Sequence, residues 1–91
     1  IAHWEGFAKG EVHVNKGAEE ALLLPKASSV LLVGVTKIAG DFEKDDIVKI
    51  MNEDGVQIGV GCAGYNSREA TKLIGKRDQK PLIHYDYLYL D

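Results

Sequence analysis

A chain of 91 residues is long enough for one domain and too short for two, and a domain of that size buries only about 60–65% of its unfolded surface, so its core is thin. Eleven Lys and Arg against 14 Asp and Glu give a net charge of −3 and a pI near 5.5, which excludes the overall basic footprint of a strong nucleic-acid binder, a domain pI above about 9. A single cysteine, Cys62, excludes an internal disulfide, and no apolar run approaches the roughly 20 residues of a membrane-spanning helix.

With one cysteine and three scattered histidines, a structural zinc site is not expected. This cysteine usage suits a reducing, cytoplasmic setting. The chain has neither a signal peptide nor an initiator Met, so a fragment or a processed product is expected.

Residues 1–9 mix aromatic, charged and small residues without a period and read as a lead-in segment. From Glu11 to Asn15, Val12 and Val14 alternate with polar partners, the pattern of a half-buried strand. A helix follows. Asn15 is its N-cap, Glu19 and Glu20 suit its positive end, and Pro25 stops it. Its apolar face is predicted from Ala18, Ala21 and Leu22.

Residues 28–35 read as a buried apolar run ending near Gly34, and 35–40 as a strand ending at Gly40. A charged connection, Asp41 to Asp46, leads to a strand over 47–51. Asp54-Gly55 is a strong hairpin signal. The returning strand puts Val56, Ile58, Val60 and Cys62 on one face. Gln57, Gly59, Gly61 and Ala63 occupy the other, small enough for a second backbone to lie close. A second helix spans 66–76, with Asn66 and Glu69 as a capping box, Ala70, Leu73 and Ile74 as its apolar stripe, and Gly75 past its end. The last segment alternates Ile83, Tyr85, Tyr87 and Tyr89 with His84, Asp86, Leu88 and Leu90, a strand-like period of two. The fold class predicted is mainly β with two short α helices, a small barrel of mixed strands.

Few of these residues form a chemical constellation. Gly34 and Gly40 lack the Lys-Ser/Thr and following helix of a phosphate loop, and acids follow Gly40, so both read as strand corners. Asp41, Glu43, Asp45 and Asp46 lack the spacing of a calcium loop and read as a solvated turn. His84 beside Asp86 is either an oriented imidazole or a structural hydrogen-bonding pair, and without a nucleophile it reads as the latter; Cys62 points with an apolar set as an inert thiol. The tyrosine row is either a stacking platform for bases or a covered wall. Lacking interleaved Arg or Lys, it reads as the wall or a partner interface. Lys16, at the start of the first helix, and Lys26, just after it, are the best cationic candidates.

Taken in order, four stretches resemble a known family: "GEVHVNKGA" (10–18), "GVTKIAGDF" (34–42), "YNSREA" (65–70) and "IHYD" (83–86). They are similar to the PUA domain at the C-terminus of bacterial glutamate 5-kinases. The resemblance implies a PUA-type pseudobarrel over 10–91, with 1–9 as a linker from a preceding amino-acid kinase domain. It implies a parent enzyme that phosphorylates glutamate with ATP and magnesium in the first step of proline synthesis. Its phosphate, glutamate and magnesium residues would precede residue 1, so the fragment itself is expected to have no catalytic residue, metal or cofactor. The expected partners are the kinase domain and other subunits of the parent, with RNA as the alternative and no membrane. In PUA modules that bind RNA, the first helix with its preceding loop and the last strand face the ligand. The matching positions are Lys16, Gly17, Ala18 and the strand around His84. Three positions depart from the family pattern: Val33 for a frequent Pro, Asp45 for Gly, and Tyr85 for a common Arg. The connection from Gly75 to Pro81 is also short for the family.

Overall fold

The structure is a computed structural model; it describes residues 8–23 and 29–90. Five strands form one mixed sheet: β1 (Gly10–Val14), β2 (Val35–Gly40), β3 (Ile47–Met51), β4 (Gln57–Cys62) and β5 (Leu88–Leu90). Their order is β2-β1-β3-β4-β5. Only the central β1–β3 pair is parallel. Helix α1 (Lys16–Leu23) links β1 to β2, and α2 (Ser67–Leu73) follows β4 and packs on β2. No hydrogen-bonded ladder joins β2 to β5 in the sheet. An isolated bridge between Val30 and Ile83 ties the segments before β2 and β5 together.

The register explains the core. Ile38, Val12, Ile50, Gly59 and Leu90 lie in one cross-strand row, and Gly40, Gly10, Val48, Gly61 and Leu88 in the next on the same face. Val12, Val48 and Ile50 are fully buried there, joined by Phe42, Leu32, Leu82 and Ile83. Each such side chain contributes about 1.5–3 kcal/mol by leaving water.

Glycines make this closeness possible. A Cβ on Gly10 would sit 2.6 Å from the Ala39 carbonyl oxygen and 2.7 Å from the Phe42 ring. One on Gly61 would sit 2.5 Å from Ile83 Cγ2. The expectation of close backbone approach along β4 holds, since the β5 carbonyls of Tyr89 and neighbouring Tyr87 lie within 3 Å of the missing Cβ positions. The core, however, lies on the glycine side. Val60 is buried on the opposite face, in a row with Ala39, Glu11, Lys49 and Tyr89. A register shift at Ile50/Met51 breaks the alternation before Gly59 and lets Ile58 pack on the core instead.

Three further expectations are corrected. Ala21 is exposed, so α1 buries only Leu22, with Ala18 half-buried one turn earlier. The 28–35 run is not buried throughout: a 3-10 turn at Leu32–Gly34 leaves Leu31 49% and Val33 42% exposed. The last segment is not one strand. Leu82 and Ile83 are both buried, and a 3-10 turn at Tyr85–Tyr87 precedes a three-residue β5. The cause is local: His84 Nδ1 accepts from the Asp86 amide at 3.2 Å, offering the backbone an alternative to the ladder.

Both helix caps and the hairpin form where predicted. Asn66 Oδ1 accepts from the Glu69 amide at 2.8 Å, and its Nδ2 donates to Glu69 Oε1 at 2.9 Å. Gly75 adopts φ +77 past the end of α2. In the β3–β4 turn, Gly55 has φ +76 and Asn52 Oδ1 accepts from the amides of Asp54 and Val56. The linker assigned to 1–9 and the Pro25 stop lie largely or wholly outside the described residues.

Candidate functional site

Two places carry the sequence candidates. The first is the N-terminus of α1. Asn15 caps it, its Oδ1 accepting from the Ala18 amide at 2.8 Å. A helix start leaves further amides unpaired and attracts anions. Here the anion comes from the chain itself: the Lys16 amide donates to Glu53 Oε1 at 2.7 Å. Glu53 sits on the β3–β4 turn, held in place by the neighbouring Asn52. That Asn52 is buried, and its Nδ2 donates to Glu19 Oε2 at 3.0 Å. The side chain of Lys16 and the whole of Gly17 are exposed, but the seat a phosphate would take at Lys16 holds a carboxylate.

The second place is His84. Its ring stacks on Tyr85 with centroids 4.3 Å apart and meets Tyr87 at 6.1 Å, tilted by 55°. Tyr85 and Tyr87 are exposed. The Tyr85 amide donates to Ser29 Oγ at 3.0 Å, which fastens the turn to the segment before Val30. Because Nδ1 of His84 accepts from a backbone amide, the neutral ring carries its proton on Nε2. His84 and Tyr87 border a cavity of about 300 Å³ with Lys44, Asp45, Cys62 and Pro81. Burial, and secondarily the Asp45 carboxylate, push the Cys62 thiol above its ordinary range. A thiol so placed is a poor nucleophile. Asp45 has φ +75, a left-handed conformation that suits glycine, at the position where the family resemblance led us to expect one.

Lys16, Gly17 and Ala18 therefore share one helical turn against the hairpin, while His84 sits among the rings of the second turn. Lys26 lies outside the described residues. The acids of 41–46 cap their own turn: Asp46 Oδ2 accepts from the Glu43 amide at 2.8 Å. Sequence reasoning missed Asn52 and Glu53. Asn52 had a local signal, an Asx residue opening an Asp-Gly turn. Glu53 had none, because its partner lies 37 residues earlier. No helix among the described residues is long and apolar enough to cross a membrane.

A mixed five-stranded sheet, two short helices and a glycine-tight core define the class. The PUA domain model matches residues 10–85, and the chain belongs to the PUA domain family. It is 55% identical over all 91 residues to a glutamate 5-kinase of Bacteroides thetaiotaomicron, and 43% identical over 99% of its length to that of Chlorobaculum tepidum. In both comparisons it spans 25% of the relative's length. Among solved structures, a PUA domain from Aeropyrum pernix K1, crystallised as a tartrate complex, superposes with a TM-score of 0.74 at 30% identity, over 84% of this chain and 41% of that one. An H/ACA RNP bound to a substrate RNA superposes at 0.63 with 17% identity, over 90% of this chain and 22% of its counterpart, a likeness of fold alone.

Proposed function

We propose that this chain is the accessory module of a glutamate 5-kinase, at its C-terminal end, serving the kinase through domain and subunit contacts without chemistry of its own. The observation that carries the reading is the ratio of coverages: the whole chain aligns at 55% identity with only a quarter of a glutamate 5-kinase. The remaining three quarters have room for the ATP, magnesium and glutamate sites, and the enzyme would work in the cytoplasm. The local chemistry agrees. Burial raises the pKa of the single thiol, and neither described imidazole, His13 held by Glu11 nor His84 by the Asp86 amide, is hydrogen-bonded to a nucleophile. The test is direct. The purified 91-residue chain, given ATP, magnesium and glutamate, is expected to form no glutamyl phosphate trapped as hydroxamate. The parent enzyme is expected to form it, and turnover by the 91-residue chain would overturn the reading.

RNA binding is the second reading, favoured by the exposed rings at His84, Tyr85 and Tyr87 and by the use of this fold in an RNA-bound particle. The carboxylate of Glu53 at α1 opposes it. Titration with a structured RNA at two salt concentrations separates the readings, because phosphate contacts make log K fall steeply with log salt. Under the accessory reading no such slope is seen.

A further inference from the structure

The charge of this chain is unevenly placed. Between residues 68 and 80 there are five cationic side chains and two acids, a local charge of +3 in a chain of net −3. Part of that cluster borders a groove of about 350 Å³, between the 3-10 turn at Leu32–Gly34 and the connection after α2. Leu31 and Val33 form one wall and Lys76, Arg77, Asp78 and Gln79 the other. Leu31 and Val33 are among the largest exposed apolar side chains described. Neither joins the core cluster.

The groove is preformed. The Gly75 amide donates to the Leu32 carbonyl at 2.8 Å, which fastens one wall to the other. The Lys76 amide returns to the Leu73 carbonyl at 3.0 Å, and Gln79 Nε2 reaches the Arg77 carbonyl at 3.4 Å. Asp78 turns the connection with φ +62, a left-handed conformation that Asp adopts more readily than most residues. A site whose walls are already joined loses less on binding than one that must first be assembled.

We infer that this groove docks an acidic polypeptide segment that inserts an aliphatic side chain between Leu31 and Val33 and sets carboxylates against Lys76 and Arg77. Charge complementarity names the carboxylates, because Lys76 and Arg77 outnumber Asp78 in the lining. The exposed aliphatic pair names the anchor, since such patches mark interaction sites. The lining argues against nucleic acid as the occupant: it contains no aromatic ring, and single-strand binders pair cations with stacking rings. The rings of this chain lie at His84, in other surroundings. The inference goes beyond the accessory reading and does not depend on which enzyme the module accompanies.

The experiment is an amide NMR titration of the 91-residue chain with a capped Glu-Leu-Glu-Glu-Leu-Glu peptide, with oligo-uridine and a Lys-for-Glu peptide in parallel. The acidic peptide is expected to shift the amides of Leu31 to Gly34 and of Gly75 to Gln79. Raised salt is expected to weaken it, and the double variant Lys76→Glu, Arg77→Glu to weaken it about tenfold. Leu31→Ser is expected to weaken it while leaving the salt dependence in place. All three side chains are exposed, and a preserved spectrum elsewhere reports an intact fold. Any of four results overturns the inference: no shift at millimolar peptide, equal binding by the Lys peptide, tighter binding of oligo-uridine at these amides, or concentration-dependent broadening there without peptide. The last would make a second copy of this chain the occupant.

Discussion

The N-terminus of α1 and the turn at His84 carry opposite lessons about how a small domain handles its polar ends. Each is a short helical turn opened by a side chain that accepts a backbone amide, Asn15 in one and His84 in the other. At α1 the rest of the molecule closes in: Glu53 takes the Lys16 amide and Asn52 takes the carboxylate of Glu19. At His84 the rings of Tyr85 and Tyr87 remain open to water. A local motif that attracts anions in isolation thus loses that capacity when the fold brings its own acid to it. The turn at His84 is fastened through its backbone, by the Tyr85 amide to Ser29, and among the described residues no acid from elsewhere in the fold closes over its rings, so they keep their open surface.

The comparison can be broken most severely through the sheet on which the His84 side rests. Gly61→Ala drives a methyl into Ile83 and the Tyr87 carbonyl, and overpacking of this kind costs about 3 kcal/mol. Urea unfolding is expected to show that loss. The amides from Ile83 to Tyr87 are expected to shift while those of α1 stay in place. Asn15→Ala attacks the other side, and removing such a cap costs about 1 kcal/mol in the same measurement, with the loss centred on α1.

Glu53→Gln sharpens the contrast rather than breaking it. Removing the charge at the helix start is expected to cost about 0.5 kcal/mol. It should also let sulfate or inorganic phosphate perturb the Lys16 and Gly17 amides, which the unaltered chain resists. If phosphate perturbs those amides equally in both proteins, the carboxylate is not what closes this end.

The smallest effect concerns Cys62. Its raised pKa lowers the thiolate fraction at neutral and mildly alkaline pH, so alkylation by iodoacetamide is expected to be slower than for a free thiol until the pH climbs. Asp45→Asn removes the lesser of the two causes. It is expected to quicken alkylation at a fixed pH near 8 without reaching the rate of an exposed cysteine, because burial remains. Asn tolerates the left-handed backbone at this position, so stability should hold.

Elements whose cause is local were legible in the chain. Val12 and Val14 announce β1, Asn66 and Glu69 announce α2, and Asp54-Gly55 announces the hairpin, because period, cap and turn chemistry act within a few residues. The family was legible from spaced motifs spread over most of the length. What tertiary structure alone decided has one physical source: contact between residues far apart in sequence. The side of β4 that faces the core depended on β5 and Ile83 arriving against Gly59 and Gly61. The fate of the α1 terminus depended on Glu53, and the groove beside Leu31 on the bond from Gly75 to Leu32. A period of two says that residues alternate; only the packed chain says which side meets the core.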